Sequence, residues 1–438
     1  MFIALSLFLT VMAMMAWANE RWLKWPTAVG VTFISAITTF SVLIWHQHVS
    51  PLSSLVNWTA SWQFDELLMN GVLCFLLFAS ALHVDSRMLR KEKIMILLFT
   101  TIGVALSSIF TGTGIWLILK ALGVNWNWTL CLLIGIILSP TDAVVAADAL
   151  KRAKLPERLK AKIMGESLFN DGTAVVLFVA AISLIFHQET SHFFDWTESH
   201  FKFSFWNWIE WPVFFIWQGL GGAIIGGVIG YIMSIAIKSI RQPTVELLLT
   251  LACATASYTI AEHVSASAPI SVAFAGLVVS HMGRTRTMDT PTQERIFSFW
   301  EMLDELLNVA LFVLIGLQLL RVPPSFIAWV AGILAVPAVL LARYFSVLIP
   351  ILIAKPFRAF SERTITWMTW GGLRGGISLA LALSVPDFQH DIILLTICYV
   401  VILFSIIVQG GLIIPWLSKQ NKTEPVKIED PIHEDPSI

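Results

Sequence analysis

Five ionisable residues lie inside long apolar stretches of the chain, where little water is available to solvate a charge. They are Asp142, Glu166, Asp171, Arg343 and Arg374. An ionised group at bilayer depth costs at least about 2.5 to 3.5 kcal/mol to insert, so each of these residues is a candidate functional residue. If all five are ionised, three carboxylates against two guanidinium groups leave one net negative charge. One bound cation or one proton would neutralise that charge.

The segment 165–173 carries two polar faces when it is drawn as a helix of 3.6 residues per turn. Ser167 and Asp171 are four residues apart and share one face. Glu166 and Asn170 share the neighbouring face. A carboxylate beside a hydroxyl oxygen suits a hard alkali cation, whereas the second pair offers groups that can hold an arginine. The segment therefore predicts an ion site and its support on one helix.

Asp171 lies about nine residues into its apolar stretch, or about 13 Å along a helix that rises 1.5 Å per residue, which is close to the midplane of a bilayer. An aspartate in water has a pKa of about 3.9, and burial of a carboxyl group can raise that value into the neutral range. Such a carboxylate can hold either a proton or a cation. Competition for one site, in a carrier that moves only when loaded, predicts obligatory exchange with no covalent step, no enzymatic reaction and no cofactor.

The same charges also have a purely structural interpretation, because ionisable groups inside membranes usually pair with one another. Asp142 could form an ion pair with Arg374. Glu166 could form a second one with Arg343. We predict structural pairing for Glu166, Arg343 and Arg374. For Asp171 we predict ion binding.

The composition places the chain in a bilayer, since 57% of its 438 residues are hydrophobic and only 13% are charged, against roughly 25% charged in soluble domains. A helix needs about 20 apolar residues to cross a hydrocarbon core roughly 30 Å thick, and such stretches recur along the chain. We predict an all-α polytopic membrane protein with about 13 transmembrane helices. The net charge of -1 gives no indication of nucleic-acid binding. The predicted spans lie near residues 2–18, 27–46, 66–84, 94–120, 128–150, 162–187, 213–237, 245–262, 268–282, 301–320, 326–354, 365–386 and 390–416.

Two of these spans contain residues that interrupt a helix. Span five carries Ser-Pro-Thr-Asp at 139–142, where proline removes a backbone donor. Span twelve carries Gly-Gly-Leu-Arg-Gly-Gly at 371–376, where four glycines weaken the helix. Either break alone could be a kink in an ordinary packing helix. The two together, each with a charge, favour unwound backbone around one internal site, because such backbone is tolerated at membrane depth only inside protein or beside a cavity.

The broken spans are seven apart, so they cross the membrane in opposite directions, as an inverted repeat requires. We expect the two breaks to cross at midmembrane. The predicted transmembrane domain covers 1–416, with a first repeat at 1–187, a linker helix at 213–237 and a second repeat at 245–416. The polar segment 417–438 is too short to bury a core, so we expect a disordered cytoplasmic tail.

Basic residues mark one side of the membrane. They follow odd-numbered spans, as at 87–93 and 151–162, whereas the loop 188–212 carries four acidic residues against one lysine. By the positive-inside rule the basic side is cytoplasmic, so the N-terminus faces outward and the C-terminus inward. The first span ends in Ala-Trp-Ala at 16–18, which fits the pattern of a cleavage site, but it lacks a preceding basic region, so we predict a retained span rather than a signal peptide.

These motifs, in this order, resemble those of the monovalent cation/proton antiporters of the NhaP and sodium/proton exchanger branch. They are Ser-Pro-Thr-Asp-Ala-Val at 139–144, Gly-Glu-Ser-Leu-Phe-Asn-Asp-Gly at 165–172 and Gly-Gly-Leu-Arg-Gly-Gly at 371–376, with further likeness at 267–273, 308–316 and 342–343. The resemblance covers nearly the whole chain. It implies a multi-pass protein of a plasma membrane, of the bacterial inner-membrane kind, with a role in pH homeostasis.

By that resemblance, Asp171 would bind the transported cation and the proton. The other residues implied in the Na⁺ site are Ser167, Asp142 and Thr141, the last through its backbone carbonyl. The implied supporting residues are Glu166, Asn170, Arg343 and Arg374, of which Arg374 would stabilise the crossing of the broken helices. Asparagine before Asp171, in place of a second aspartate, looks like the electroneutral branch and implies one Na⁺ or Li⁺ for one H⁺. The family is similar in working as a homodimer, with a six-helix core bundle moving against a static dimerisation part.

Two alternatives remain open at this point. A K⁺/H⁺ antiporter would keep the same fold and site, because Na⁺ and K⁺ use the same oxygen ligands and selectivity depends on cavity geometry. A cation channel or a membrane sensor is a more distant alternative, since no filter sequence or repeated ring motif is present.

Overall fold

The computed structural model describes residues 2–45, 71–142, 155–186, 210–321, 325–356, 362–385 and 392–423. Over these ranges the ordered elements are helices, and the described chain contains no strand. Several predicted features lie outside the described residues. They are the start of span three, the exit of span five with its basic connection, most of the acidic loop 188–212 and the tail beyond residue 423.

Each of the predicted spans corresponds to a helix, and one of them to two shorter helices. In chain order these are α1 (Phe2–Ala18), α2 (Thr27–Trp45), α3 (Leu73–His83), α4 (Ser86–Ala121), α5 (Trp128–Ile137), α6 (Glu157–Phe186), α7 (Val213–Lys238), α8 (Pro243–His263), α9 (Ala268–Met282), α10 (Thr290–Leu317), α11 (Phe326–Ala354), α12 (Glu362–Trp370), α13 (Gly376–Leu383) and α14 (Ile392–Gln420). The prediction of an all-α membrane fold with about 13 spans agrees with this set.

Seven helices of the described chain are long and apolar enough to cross a membrane. The segments Leu5–Leu23 and Thr27–Val42 meet at a bend of 110° and would make an eighth if they count as one span. Helices α3 and α5 are shorter and equally apolar. Helices α12 and α13 are the two arms of the broken span twelve, separated by non-helical residues 372–375.

Three helices begin earlier than hydropathy predicts. Helix α4 begins at Ser86 instead of residue 94, α6 at Glu157 instead of 162, and α10 at Thr290 instead of 301. Their amino-terminal segments contain polar and charged residues, which lower the mean hydropathy but do not prevent helix formation. Capping contacts fix two of these starts: Asp85 accepts a 2.8 Å bond from the Arg87 N–H, and Asp289 accepts a 3.0 Å bond from the Thr292 N–H.

Small residues allow the closest helix contact. Gly222, Gly226 and Gly230 are spaced four apart along α7 and lie against the backbone of α9. A β-carbon at Gly222 would lie 2.7 Å from the carbonyl oxygen of Ser267, the residue that caps α9, and one at Gly230 would lie 2.8 Å from that of Ala275. Membrane helices associate through such small-residue faces because the backbones can approach closely.

The packing follows an internal symmetry. A shift of seven spans exchanges α2 with α9 and α3 with α10, so the α3–α9 and α2–α10 contacts are equivalent, and both are extensive. A glycine lies in each: Gly276 against Phe78, and Gly316 against Ser35. Helix α4 packs on α11, its own counterpart under the same shift. This pairing is typical of an inverted repeat.

Candidate functional site

The two breaks meet at one crossing. The backbone N–H of Asp142, in the break after α5, donates a 2.7 Å hydrogen bond to the carbonyl of Leu373, in the break between α12 and α13. Unwound backbone leaves donors and acceptors that must be satisfied inside the protein. The two breaks satisfy each other at this point, so the predicted crossing of broken helices is present.

Arg374 supports the end of α5. Its Nη1 donates to the carbonyls of Ser139 and Pro140, the latter at 2.9 Å, and Nη2 lies 3.5 Å from the Ser107 hydroxyl. Its own backbone N–H donates to the Ser405 hydroxyl at 2.8 Å. The carboxyl end of a helix carries unsatisfied carbonyls and a partial negative charge, so a buried guanidinium stabilises the peptide units that follow α5.

Glu166 and Arg343 form the predicted ion pair. Both nitrogens of the guanidinium fork donate to the carboxylate, with Nη2 2.9 Å from Oε2 and Nη1 on Oε1. The same arginine donates to the carbonyl of Met368 through Nη2 at 2.9 Å and Nε at 3.3 Å. Met368 lies in the last turn of α12, where carbonyls lack helical partners. Arg343 therefore stabilises the carboxyl end of α12, as Arg374 stabilises the end of α5.

Asp142 lies at the amino end of α13. A β-carbon on Gly375, the residue that precedes this helix, would collide with the Asp142 carboxylate. An amino end carries unsatisfied N–H groups and a partial positive charge, which favours a nearby anion. Glycine is needed at 375 because the carboxylate occupies the space of a side chain.

Asn170 differs from its predicted role. Its Nδ2 donates to the carbonyl of Ser139 at 3.4 Å and to the Thr141 hydroxyl at 3.3 Å, so it contacts the break after α5 rather than an arginine. The Thr141 hydroxyl also lies 3.0 Å from the hydroxyl of Ser167. The grouping of Glu166 with Asn170 around one arginine therefore holds only for Glu166. The sequence spacing predicted the face of α6 on which Asn170 lies, but not which residues that face contacts.

Asp171 is buried in the middle of this arrangement, with 4% of its surface exposed. Its Oδ1 has no hydrogen-bond partner in the described structure. A buried carboxylate oxygen without a donor is costly unless a proton or a cation binds it. Asp171 thus has the free ligand capacity that Glu166, saturated by Arg343, lacks.

A cavity of about 40 Å³ adjoins Asp171. A single water needs only about 10–15 Å³ on the same measure, so the space admits a small ion with water. Its walls come from α3, α6, α10, α13 and both breaks. The lining side chains and backbone belong to Leu73, Leu76, Leu77, Ser80, Pro140, Thr141, Asp142, Leu168, Asp171, Asn308, Leu311, Gly375, Gly376, Ile377 and Ser378.

The sequence interpretation missed three polar groups near this site. Lys162, predicted to lie in a basic connection, is buried with its Nζ 3.9 Å from the carboxylate of Glu92. Its spacing of four from Glu166 could have identified it as part of the same helix face. Asn308 and Ser378 line the cavity beside Asp171. An asparagine and a serine within apolar helices carry no charge, so no charge-based search could select them.

Comparison with known proteins finds sodium/hydrogen exchangers and antiporters. The transmembrane sodium/hydrogen exchanger family model matches residues 7–419. The Na⁺/H⁺ antiporter NhaP of Pseudomonas aeruginosa is 34% identical over 436 residues, which cover 97% of this chain and 98% of that protein. The Na⁺/H⁺ antiporter NhaH of Halobacillus dabanensis is 30% identical over 365 residues, 82% of this chain and 85% of that one.

The fold is also similar to a solved structure, the sodium proton antiporter MjNhaP1 of Methanocaldococcus jannaschii. The TM-score is 0.68 at 17% identity, over 95% of this chain and 97% of that chain. The family match over nearly the whole length agrees with the multi-pass helical fold and its crossed breaks. The chain belongs to the sodium/hydrogen exchanger family of membrane antiporters.

Proposed function

We propose that the chain exchanges Na⁺ or Li⁺ for H⁺ at Asp171, which binds one cation or one proton at a time. The observation that supports this most directly is the buried Oδ1 of Asp171, which has no hydrogen-bond partner among the described residues and lies beside a cavity large enough for an ion. Ser167, Thr141 and Asp142 lie around the same crossing and would complete the oxygen shell of the cation. Relatives named as Na⁺/H⁺ antiporters favour these substrates.

Competition accounts for coupling in physical terms. A protonated Asp171 is neutral and offers little to a cation, whereas a deprotonated Asp171 with bound Na⁺ is neutral as a pair. A bare carboxylate at this depth would be the costly state. A carrier that changes its access only when the site is neutralised therefore moves either ion and seldom moves empty.

The charge count supports an electroneutral exchange. The three carboxylates of Asp142, Glu166 and Asp171 and the two guanidinium groups of Arg343 and Arg374 together leave one negative charge. One Na⁺ and one H⁺ each neutralise it equally, so neither loaded form carries an extra charge across. We expect a transport rate that does not depend on membrane potential.

We further infer how the carrier is built. The first repeat would cover 1–187, a linker helix 213–237 and the second repeat 245–416, with the N-terminus outside and the C-terminus in the cytoplasm. The helices that carry or brace the crossing, α4 to α6 and α11 to α14, would move against the remaining helices, and two chains would form a homodimer. Support comes from the symmetric packing of α2, α3, α9 and α10 and from family resemblance.

The test uses purified protein in liposomes that hold an imposed pH gradient. We expect Na⁺ and Li⁺ to dissipate the gradient through the wild type and not through Asp171→Asn, which keeps the shape of the side chain and removes its charge. Asp289→Asn, an exposed change outside the membrane, is the matched control and should transport normally. A response to K⁺ alone would keep the site and change the substrate, whereas unimpaired exchange by Asp171→Asn would refute the mechanism.

A further inference from the structure

Three side chains that line the cavity have buried oxygen atoms with no hydrogen-bond partner in the described structure. They are Asp171 through Oδ1, Asn308 through Oδ1 and Ser378 through Oγ. Their exposed fractions are 4%, 5% and 1%. A single orphaned oxygen is uncommon in a folded interior, and buried polar groups without partners usually serve a ligand or a water. Three such oxygen atoms on residues around one cavity indicate that they bind the same ligand.

The orientation of Asn308 follows from its other contact. Its amide lies 2.7 Å from the carbonyl oxygen of Asp304, one turn earlier in α10. A carbonyl only accepts, so the nitrogen of the side chain must occupy that position. The oxygen is left without a donor, and the residue lines the cavity. Helix α10 thus contributes one neutral acceptor to the site.

Ser378 is free for a different reason. Serines and threonines in or beside helices commonly donate to the carbonyl four residues earlier, as Ser384, at the carboxyl end of α13, does to Ala380 at 2.9 Å. Four residues before Ser378 is Arg374, which lies in the break and not in α13. No helical carbonyl is therefore in place, and the hydroxyl remains available to the cavity.

We infer that Asn308 and Ser378 are two further oxygen ligands of the transported cation. The inference rests on the proposed exchange at Asp171 and adds a physical distinction to it. Neutral amide and hydroxyl oxygens coordinate a hard cation, but they do not take up a proton near neutral pH. They therefore strengthen Na⁺ binding without adding a second proton-binding group, and they leave the charge balance of the site unchanged.

This role has a structural competitor, in which water filling the cavity bridges the two residues. The two interpretations differ in what the cation does. If the residues only hold structural water, removing either oxygen leaves the apparent Na⁺ affinity unchanged. If they bind the cation, the affinity falls while the proton reaction of Asp171 is preserved.

The experiment compares Ser378→Ala and Asn308→Leu with the wild type. Ser384→Ala is the matched control, because it removes a hydroxyl at the carboxyl end of the same helix that is already bonded to a carbonyl. Two quantities are measured: the KM for Na⁺ of exchange in liposomes, and the rise in unfolding temperature that Na⁺ causes in detergent, since a ligand of the folded state stabilises it. We expect each variant to raise KM about 5- to 10-fold, the effect of one lost polar contact, with Vmax kept.

A KM and a Na⁺-induced stabilisation within twofold of the wild type in both variants would overturn the inference. Ser378→Ala decides the question if Asn308→Leu does not fold, because it deletes a hydroxyl with no protein partner. Asp171→Asn in the same assay distinguishes failure of the proposed function from failure of the inference about Asn308 and Ser378. If it still exchanges, the proposed function fails, whereas normal KM values beside an inactive Asp171→Asn reject only the two added ligands.

Discussion

The backbone N–H of Asp142 is hydrogen-bonded to the carbonyl of Leu373 over 2.7 Å, and this bond joins the break of one span to the break of another. Because both of its atoms belong to the backbone, a side-chain substitution at either break removes neither of them. The charged residues around it act on the helix ends instead: Arg374 at the end of α5, Arg343 at the end of α12 and Asp142 at the start of α13. The crossing of the two breaks therefore holds the ion ligands in position.

Breaking the Glu166–Arg343 pair should destabilise the protein strongly. In Glu166→Gln the buried guanidinium loses its counter-charge, and removal of one partner of a buried pair costs about 3–5 kcal/mol. We expect a clear fall in the unfolding temperature in detergent. Glu157→Gln, which breaks an exposed pair with Lys160 on the same helix, should leave the temperature unchanged. Equal unfolding temperatures for Glu166→Gln and wild type would contradict this assignment.

Arg374 should not be replaceable by lysine. An ammonium group carries the same charge, but it lacks the planar fork that reaches both the carbonyls of the break after α5 and the Ser107 hydroxyl. We expect Arg374→Lys to lower the exchange rate about tenfold or more, because misplaced ligands are costly even when the chemistry is intact. Arg87→Lys, at a side chain 78% exposed, is the control. Transport by Arg374→Lys at the wild-type rate would show that charge alone suffices.

A methyl group at position 375 should disturb the ion site directly. In Gly375→Ala the new β-carbon would displace the Asp142 carboxylate from the amino end of α13. We expect weaker apparent Na⁺ affinity and slower exchange, measured in liposomes. Gly227→Ala is the matched control, since a β-carbon there meets no atom within 4 Å. An unaffected KM for Na⁺ in Gly375→Ala would mean that Na⁺ binding does not depend on the present position of the Asp142 carboxylate.

Asp289 gives a prediction about stability and pH outside the membrane. Hydrogen bonds from the side chain and backbone of Thr292 lower the pKa of Asp289 below its ordinary value of about 3.9. Its stabilising charge is therefore fully present above about pH 4 and is lost as the pH falls through the lower folded value. We expect Asp289→Ala to unfold at a lower temperature than wild type at neutral pH.

The same comparison in acid provides the check. The difference in unfolding temperature between wild type and Asp289→Ala should shrink as the medium is acidified below about pH 4, because the wild-type carboxylate becomes protonated. A difference that stays constant down to strongly acidic pH would assign the effect to something other than the charge at the start of α10.

Hydropathy and helix-breaking residues were sufficient to predict most of the fold. The breaks at 139–142 and 371–376 could be read from one proline and four glycines, and the pairing of Glu166 with Arg343 from the cost of isolated charges. The breaks depend on local composition, and the ion pair depends on the large cost of an isolated charge in a membrane. Both can therefore be predicted without knowing which residues are neighbours in the folded protein.

The remaining features depend on tertiary neighbours. Asn170 contacts Ser139 and Thr141 instead of an arginine because the break after α5 lies against its face of α6. Lys162, the first residue of predicted span six, was counted with the basic connection before it, since a lysine lowers hydropathy whether it is exposed or paired with Glu92. Asn308 and Ser378 carry no charge, and only the cavity shows that they lie beside Asp171.

The most direct test of competition at Asp171 is the number of protons released when Na⁺ binds to purified protein in weakly buffered detergent solution. If cation and proton share this carboxylate, addition of Na⁺ near the pH of half-protonation releases protons, approaching one per bound Na⁺ as the pH is lowered and the site becomes fully protonated. Asp171→Asn should release none. Binding of Na⁺ to wild type without proton release, or the same release from Asp171→Asn, would contradict the mechanism at its centre.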